Sequence, residues 1–263
     1  MKIGVFDSGL GGLVVTKAFI EAMPEYDYVY YGDTKHLPYG DKTSGQILSY
    51  TIDAIKFLIS QKCGIIIIAC NTATSIALRY LQQRFIPEFA PDVKVLGVVI
   101  PTVEEATNGK ASKVGVIATK ATNYSKIYTQ ELHKINSSID VLEVAAPDLV
   151  PAIENNDFTK AEELSKQYAA NFSDMDSLIL GCTHYPLLKS YFKAALPKVK
   201  IVSQDELMGA KLKDYLNRHI EIDISLSRNS DYRFMVSNWN EHYQKVAFRL
   251  FPDIPIVEVK SNV

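Results

Sequence analysis

The chain has 263 residues, 47% of them hydrophobic and 22% charged, which suits one large α/β domain or two small ones and needs no staples to hold a core. Its 28 Lys and Arg against 30 Asp and Glu form no basic run, so a nucleic-acid partner has no electrostatic footprint, and apolar runs such as Ile65–Ala69 are far too short to cross a bilayer. The first residues enter a strand-like segment without a secretory pattern, and three cysteines with no C-x-x-C fit free thiols in a reducing cytoplasm.

Short apolar runs alternate with helical patterns along the chain. Strands are predicted at Ile3–Phe6, Tyr28–Tyr31, Gly64–Ala69, Val93–Val99, Lys113–Ala118, Asp140–Val144, Ser177–Leu180, Lys200–Val202, Arg233–Val236 and Val257–Val259. Helices are predicted over Gly45–Ser60, Thr72–Arg84, Asp205–His219 and Asn240–Leu250, where apolar residues recur on one face. This alternation implies α/β architecture with doubly wound parallel sheets. Ligands in such sheets sit beyond the carboxyl ends of the strands.

Two pairs of segments repeat. Lys2–Ser8 reads K-I-G-V-F-D-S and Lys113–Thr119 reads K-V-G-V-I-A-T; Ile65–Thr72 reads I-I-I-I-A-C-N-T and Leu178–His184 reads L-I-L-G-C-T-H. The offset is 111 residues between Lys2 and Lys113 and 112 between Cys70 and Cys182. The near-equal offsets predict two similar lobes related by a pseudo-twofold, with a cleft between them. The first lobe is expected to comprise residues 1–97 completed by 207–263, and the second residues 98–206. The repeat equates Cys70 with Cys182, Ser8 with Thr119 and Asn71 with Thr183, so the two cysteines should face each other across the cleft.

Each of these cysteines follows a strand and precedes a helix start, where free N–H groups favour a thiolate. His184 could exchange a proton with Cys182, and Asp7 could orient Cys70. Cys63, at the end of a helix-like stretch, reads as core packing, and His133, His219 and His242 read as solvated. Asp7, Cys70, Cys182 and His184 could in principle hold a metal, but C-x-H is not a zinc spacing and no metal is expected. The glycines of Asp7–Gly12 lack the third position of a dinucleotide loop, which is Val14, and read as a tight turn before a helix able to hold an anion. Segments 7–12, 38–40, 70–74, 119–122 and 182–188 contain no Arg. A substrate carboxylate is therefore expected on neutral donors: the hydroxyls of Ser8, Thr72, Thr119 and Thr183, the Asn71 amide, and backbone N–H groups. The turn Pro38-Tyr39-Gly40 could close over them. Two thiols on opposite sides of a carbon suit proton removal and return. A one-cysteine lyase or hydrolase and a non-catalytic two-lobed binding protein remain open on these residues alone.

The set D-S-G-L-G-G (7–12), Y-G-D (31–33), P-Y-G (38–40), A-C-N-T-A (69–73) and G-C-T-H-Y-P-L-L (181–188) resembles the glutamate racemases of the aspartate/glutamate racemase superfamily. The match runs in order from residue 2 to about 205. C-T-H at the second cysteine, where related aspartate racemases typically carry C-T-E, points to glutamate. The resemblance implies cofactor-free interconversion of L- and D-glutamate for peptidoglycan. Cys70 would be the base for D-glutamate and Cys182 the base for L-glutamate, assisted by Asp7 and His184. Pro147–Glu154 resembles a family segment ending in a functional Glu, here Glu154, close to His184. Substrate contacts would come from Asp7, Ser8, Tyr39, Gly40, Asn71, Thr72, Thr119, Thr122, Thr183 and His184, and the resemblance implies a homodimer.

Overall fold

A computed structural model describes residues 1–108, 111–252 and 255–259. The strands are β1 (Lys2–Asp7), β2 (Tyr28–Gly32), β3 (Cys63–Ile68), β4 (Lys94–Gly97), β5 (Lys113–Ala118), β6 (Asp140–Ala145), β7 (Ser177–Gly181), β8 (Lys200–Val202), β9 (Tyr232–Val236) and β10 (Ile256–Glu258). They form two sheets, in the orders β10-β9-β2-β1-β3-β4 and β6-β5-β7-β8, with every pairing parallel. The order β2-β1-β3-β4 reappears as β6-β5-β7-β8, so the repeat in the sequence corresponds to a repeat in topology.

Burial explains the apolar runs. Ile3, Val5, Ile65 and Ile67 face one cluster, which continues into the second sheet through Val114, Val116 and Ile179. Phe6, Val29, Ile66 and Ile68 point the other way, into a cluster under helix Ser44–Ser60. With both faces covered, strand residues need not alternate with polar ones. Leu178, Leu180 and Ile117 pack outward in the second lobe against Tyr185, Leu188 and Phe192.

The predicted helices hold with shifted ends. Helix Ser44–Ser60 starts one residue early because Thr43 and Gln46 form a reciprocal cap. The stretch predicted as Thr72–Arg84 is helix Asn71–Tyr80 followed by a π-turn at Leu81–Phe85. Helix Gln204–Arg218 lies one residue earlier than predicted at both ends, and helix Glu241–Leu250 starts one residue later. Cys63 corrects an expectation: it does not close a helix but opens β3, buried against Gly4. The segment after residue 205 packs back on the first lobe. Helix Gln204–Arg218 lies on helix Gly12–Ala22, and β9 extends the first sheet beyond β2.

Candidate functional site

The carboxyl ends of β1, β3, β5 and β7 converge on a cleft of about 560 Å³ including its open mouth. Its walls include Ser8, Cys70, Asn71 and Thr72 from the first lobe and Thr119, Cys182, Thr183 and His184 from the second, and Tyr39 and Gly40 cover it. Both cysteines are free thiols.

Cys70 caps helix Asn71–Tyr80, and its Sγ accepts the Ala73 N–H at 3.4 Å. The thiol donates to Ser8 Oγ, also at 3.4 Å. The helix end was expected to favour the thiolate. The balance goes the other way: burial, reinforced by the nearby negative charge of Asp7, outweighs the Ser8 and Ala73 contacts and pushes the Cys70 thiol up to about 12.

Cys182 follows β7, and its Sγ lies 3.7 Å from His184 Nδ1. His184 Nε2 lies 2.5 Å from Glu154 Oε1, at the end of helix Leu149–Glu154. Burial alone would lower the His184 pKa. Contacts with Cys182 and Glu154 outweigh it and hold the imidazole well above its ordinary value. With the carboxylate on Nε2, that nitrogen carries a proton and Nδ1 faces the sulfur.

Asp7 does not hydrogen-bond Cys70 as expected. Its Oδ2 accepts the Gly9 N–H at 2.9 Å, and its Oδ1 accepts the Thr183 hydroxyl at 3.1 Å. Asp7 is fully buried, and burial raises its pKa against the lowering effect of the His184 charge and the N–H groups of Gly9 and Gly12. The acceptor at this glycine turn is thus the protein's own Asp7. Gly11 lets the turn approach the second lobe: a Cβ there would stand 2.6 Å from Thr183 Oγ1 and 2.8 Å from His184 Nδ1. Across the cleft, Thr72 Oγ1 lies 2.9 Å from Thr119 Oγ1 and 3.1 Å from Thr122 Oγ1, a hydroxyl cluster joining the lobes.

A family model for Asp/Glu/Hydantoin racemase matches residues 15–206. The chain belongs to the Asp/Glu/hydantoin racemase family. It is an enzyme of the isomerase class. Among its relatives, a glutamate racemase of Roseobacter denitrificans is 38% identical over 235 residues, covering 83% of this chain and 86% of that protein. The solved structure of the glutamate racemase isoform RacE1 from Bacillus anthracis superposes with a TM-score of 0.87 at 32% identity, covering 98% of both chains. A glutamate racemase from Francisella tularensis, solved in complex with D-glutamate, gives a TM-score of 0.87 at 32% identity, covering 99% of this chain and 98% of that one.

Several residues around this cleft have no local signature in the sequence. The Asn71 side chain, expected to face a ligand, is engaged from behind: Oδ1 accepts from Tyr128 Oη at 2.6 Å and Gln204 Nε2 at 2.7 Å, while Nδ2 donates to Gln204 Oε1 at 3.1 Å. The segment at 33–41 is tied down by Asp33, which accepts from Tyr39 Oη at 2.7 Å and Ser237 Oγ at 2.8 Å. Ser237 matched no motif; its role is to brace this cover. A charged side chain, Lys120, lines the cleft alongside the expected neutral donors. Of the helical histidines, His133 is exposed, and His219 is half-buried with its ring 4.3 Å from that of Tyr215. His242 lies outside the described side chains. Among the described residues, no group of three or more His, Cys, Asp or Glu is arranged to hold a metal ion, and no helix is long and apolar enough to cross a membrane.

Proposed function

We propose that this chain is a cofactor-independent glutamate racemase working by two-base proton transfer. The observation that supports it most is that Cys70 and Cys182, at equivalent strand ends of two lobes, line one cleft. The names of the relatives supply the substrate. On this reading Cys70 takes the α-proton of D-glutamate and Cys182 returns one to the opposite face; L-glutamate runs the reverse course. Ser8 contacts the first thiol, and His184, backed by Glu154, exchanges a proton with the second. Asp7 holds Thr183 and the 9–12 turn in place. The hydroxyls of Thr72, Thr119, Thr122 and Thr183 and the backbone of Tyr39 and Gly40 bind carboxylates.

The α-proton is a very weak acid, so the planar intermediate needs preorganised donors in a site closed to water. The division into residues 1–97 with 207–263 and residues 98–206 gives the cleft its two walls. We further assign the enzyme to the cytoplasm, as a homodimer supplying D-glutamate for peptidoglycan.

Circular dichroism of L-glutamate with purified protein and no added cofactor tests the activity: the signal should decay to zero. In heavy water the D product should carry deuterium at the α-carbon. Cys70→Ala, Cys182→Ala and the serine variants should each lose racemisation. Unlabelled product, or one variant with full turnover in both directions, would refute the two-base assignment.

A further inference from the structure

The cleft's interior is apolar or neutral apart from His184, yet two opposite charges stand at its mouth. Asp41 ends the short 3-10 turn Tyr39–Asp41 of the first lobe, and Lys120 opens helix Lys120–Ser125 of the second. Both line the cleft. Lys120 Nζ lies 3.9 Å from Asp41 Oδ1, and both side chains are about half exposed, at 51% and 59%. At that distance they form an ion pair longer than a hydrogen bond, so the ammonium keeps donors for another acceptor. The pair is seated beside a close approach of the two lobes: a Cβ on Gly40 would stand 2.9 Å from Thr119 Cβ.

An exposed pair of this kind contributes little to stability. Its position matters more than its strength. A ligand in the cleft has Tyr39–Asp41 and Lys120 among its walls, and a carboxylate there can replace Asp41 as the partner of Lys120. A neutral ligand gains nothing from that exchange.

We propose that Lys120 is the binding residue that draws the substrate's carboxylate into the cleft, and that Asp41 opposes it and sets how strongly anions are preferred. This inference rests on the racemase reading for its substrate and its kinetic test, but not for the labelling test that follows it. Lys120→Met raises KM for L-glutamate roughly fivefold with kcat changed less than twofold, the Lys120→Arg variant restores KM, and Asp41→Asn lowers KM. Added KCl narrows the differences, because exposed charges are screened.

A second measurement needs no turnover. Alkylation of Cys70 and Cys182, followed by peptide mass spectrometry, is compared for iodoacetate and iodoacetamide, which differ in charge and little in size. The iodoacetate-to-iodoacetamide rate ratio should fall severalfold in Lys120→Met and rise in Asp41→Asn. Equal ratios in all three proteins overturn the proposal, as does a Lys120→Met loss confined to kcat. Wild-type protein that leaves glutamate unracemised, with the ratios still shifting as stated, sinks the racemase reading and leaves the anion selectivity standing.

Discussion

Titration of Cys70 in the empty enzyme offers a direct test of how burial and charge are balanced at the cleft. The thiol stands at about 12 against an ordinary 9.0. Three units mean about a thousandfold less thiolate at neutral pH, since each unit is a factor of ten. Alkylation by iodoacetamide follows the thiolate, so the logarithm of the Cys70 rate should climb about one unit per pH unit from pH 7 and still be climbing at pH 10.5. Cys63 provides the control: it too is raised to about 12 by burial, but it lies against Gly4 rather than in the cleft. Asp7 adds to the Cys70 value through its negative charge. Asp7→Asn should therefore speed Cys70 alkylation at pH 8 by on the order of tenfold, the effect of one unit, with Cys63 unchanged. The assay is quenched labelling at a series of pH values, read peptide by peptide. A Cys70 rate that levels off below pH 10, or an Asp7→Asn protein in which both thiols accelerate alike, would refute the reasoning.

Other consequences are open to measurement. Glu154→Gln removes the carboxylate that helps keep His184 protonated, so kcat should drop by about 10²-fold, typical of losing acid–base assistance, and the alkaline limb of the rate profile should move to lower pH. The same pair links to stability: His184 is raised in the fold, so its contribution is complete below the ordinary value of 6.5 and lost as pH rises through the folded value. Chemical denaturation should show the wild-type advantage over Glu154→Gln largest near pH 6 and shrinking at alkaline pH; a gap that widens with pH contradicts this sign. Gln204→Leu leaves Asn71 and Tyr128 partly unsatisfied in the interior and should cost about 1–3 kcal/mol, seen as a lower denaturation midpoint with unchanged slope. Gly11→Ala should displace Thr183 and His184, lowering kcat more than it lowers the melting temperature; full activity would mean the turn has room that the 2.6 Å approach denies.

Local pattern made most of the fold legible. Each of the ten predicted strands falls on an observed one, because buried parallel strands write themselves as runs such as Ile65–Ile68 between turns. The two cysteines were legible for a related reason: ligand sites in these sheets collect at strand ends, and the repeat named which ends correspond. What local pattern does not carry is partnership across distance. Ser237 meets Asp33 across 204 residues, and Gln204 meets Asn71 across 133; neither pair leaves a periodicity or a spacing. The sign of the Cys70 shift was missed likewise. A helix start is visible in A-C-N-T, but the burial that outweighs it depends on what the rest of the chain packs over the sulfur.

The duplicated strand order makes the thiols equivalent in position, yet their surroundings differ in charge. Cys70 has a hydroxyl and an N–H as contacts with the acid Asp7 nearby, whereas Cys182 has an imidazole held by Glu154. Thermodynamics limits what this asymmetry can do to a racemase. Enantiomers have the same free energy in water, so their equilibrium constant is one and kcat/KM must be equal in the two directions. The charge around each sulfur can therefore redistribute rate between kcat and KM for one enantiomer relative to the other, and no more. A substitution at Glu154 or Ser8 that slows proton transfer at one thiol must lower kcat/KM for L- and D-glutamate by the same factor, even where it changes the two kcat values unequally. Unequal losses in kcat/KM, measured under initial-rate conditions for both enantiomers, would mean that the reaction being followed is not a simple interconversion of mirror images.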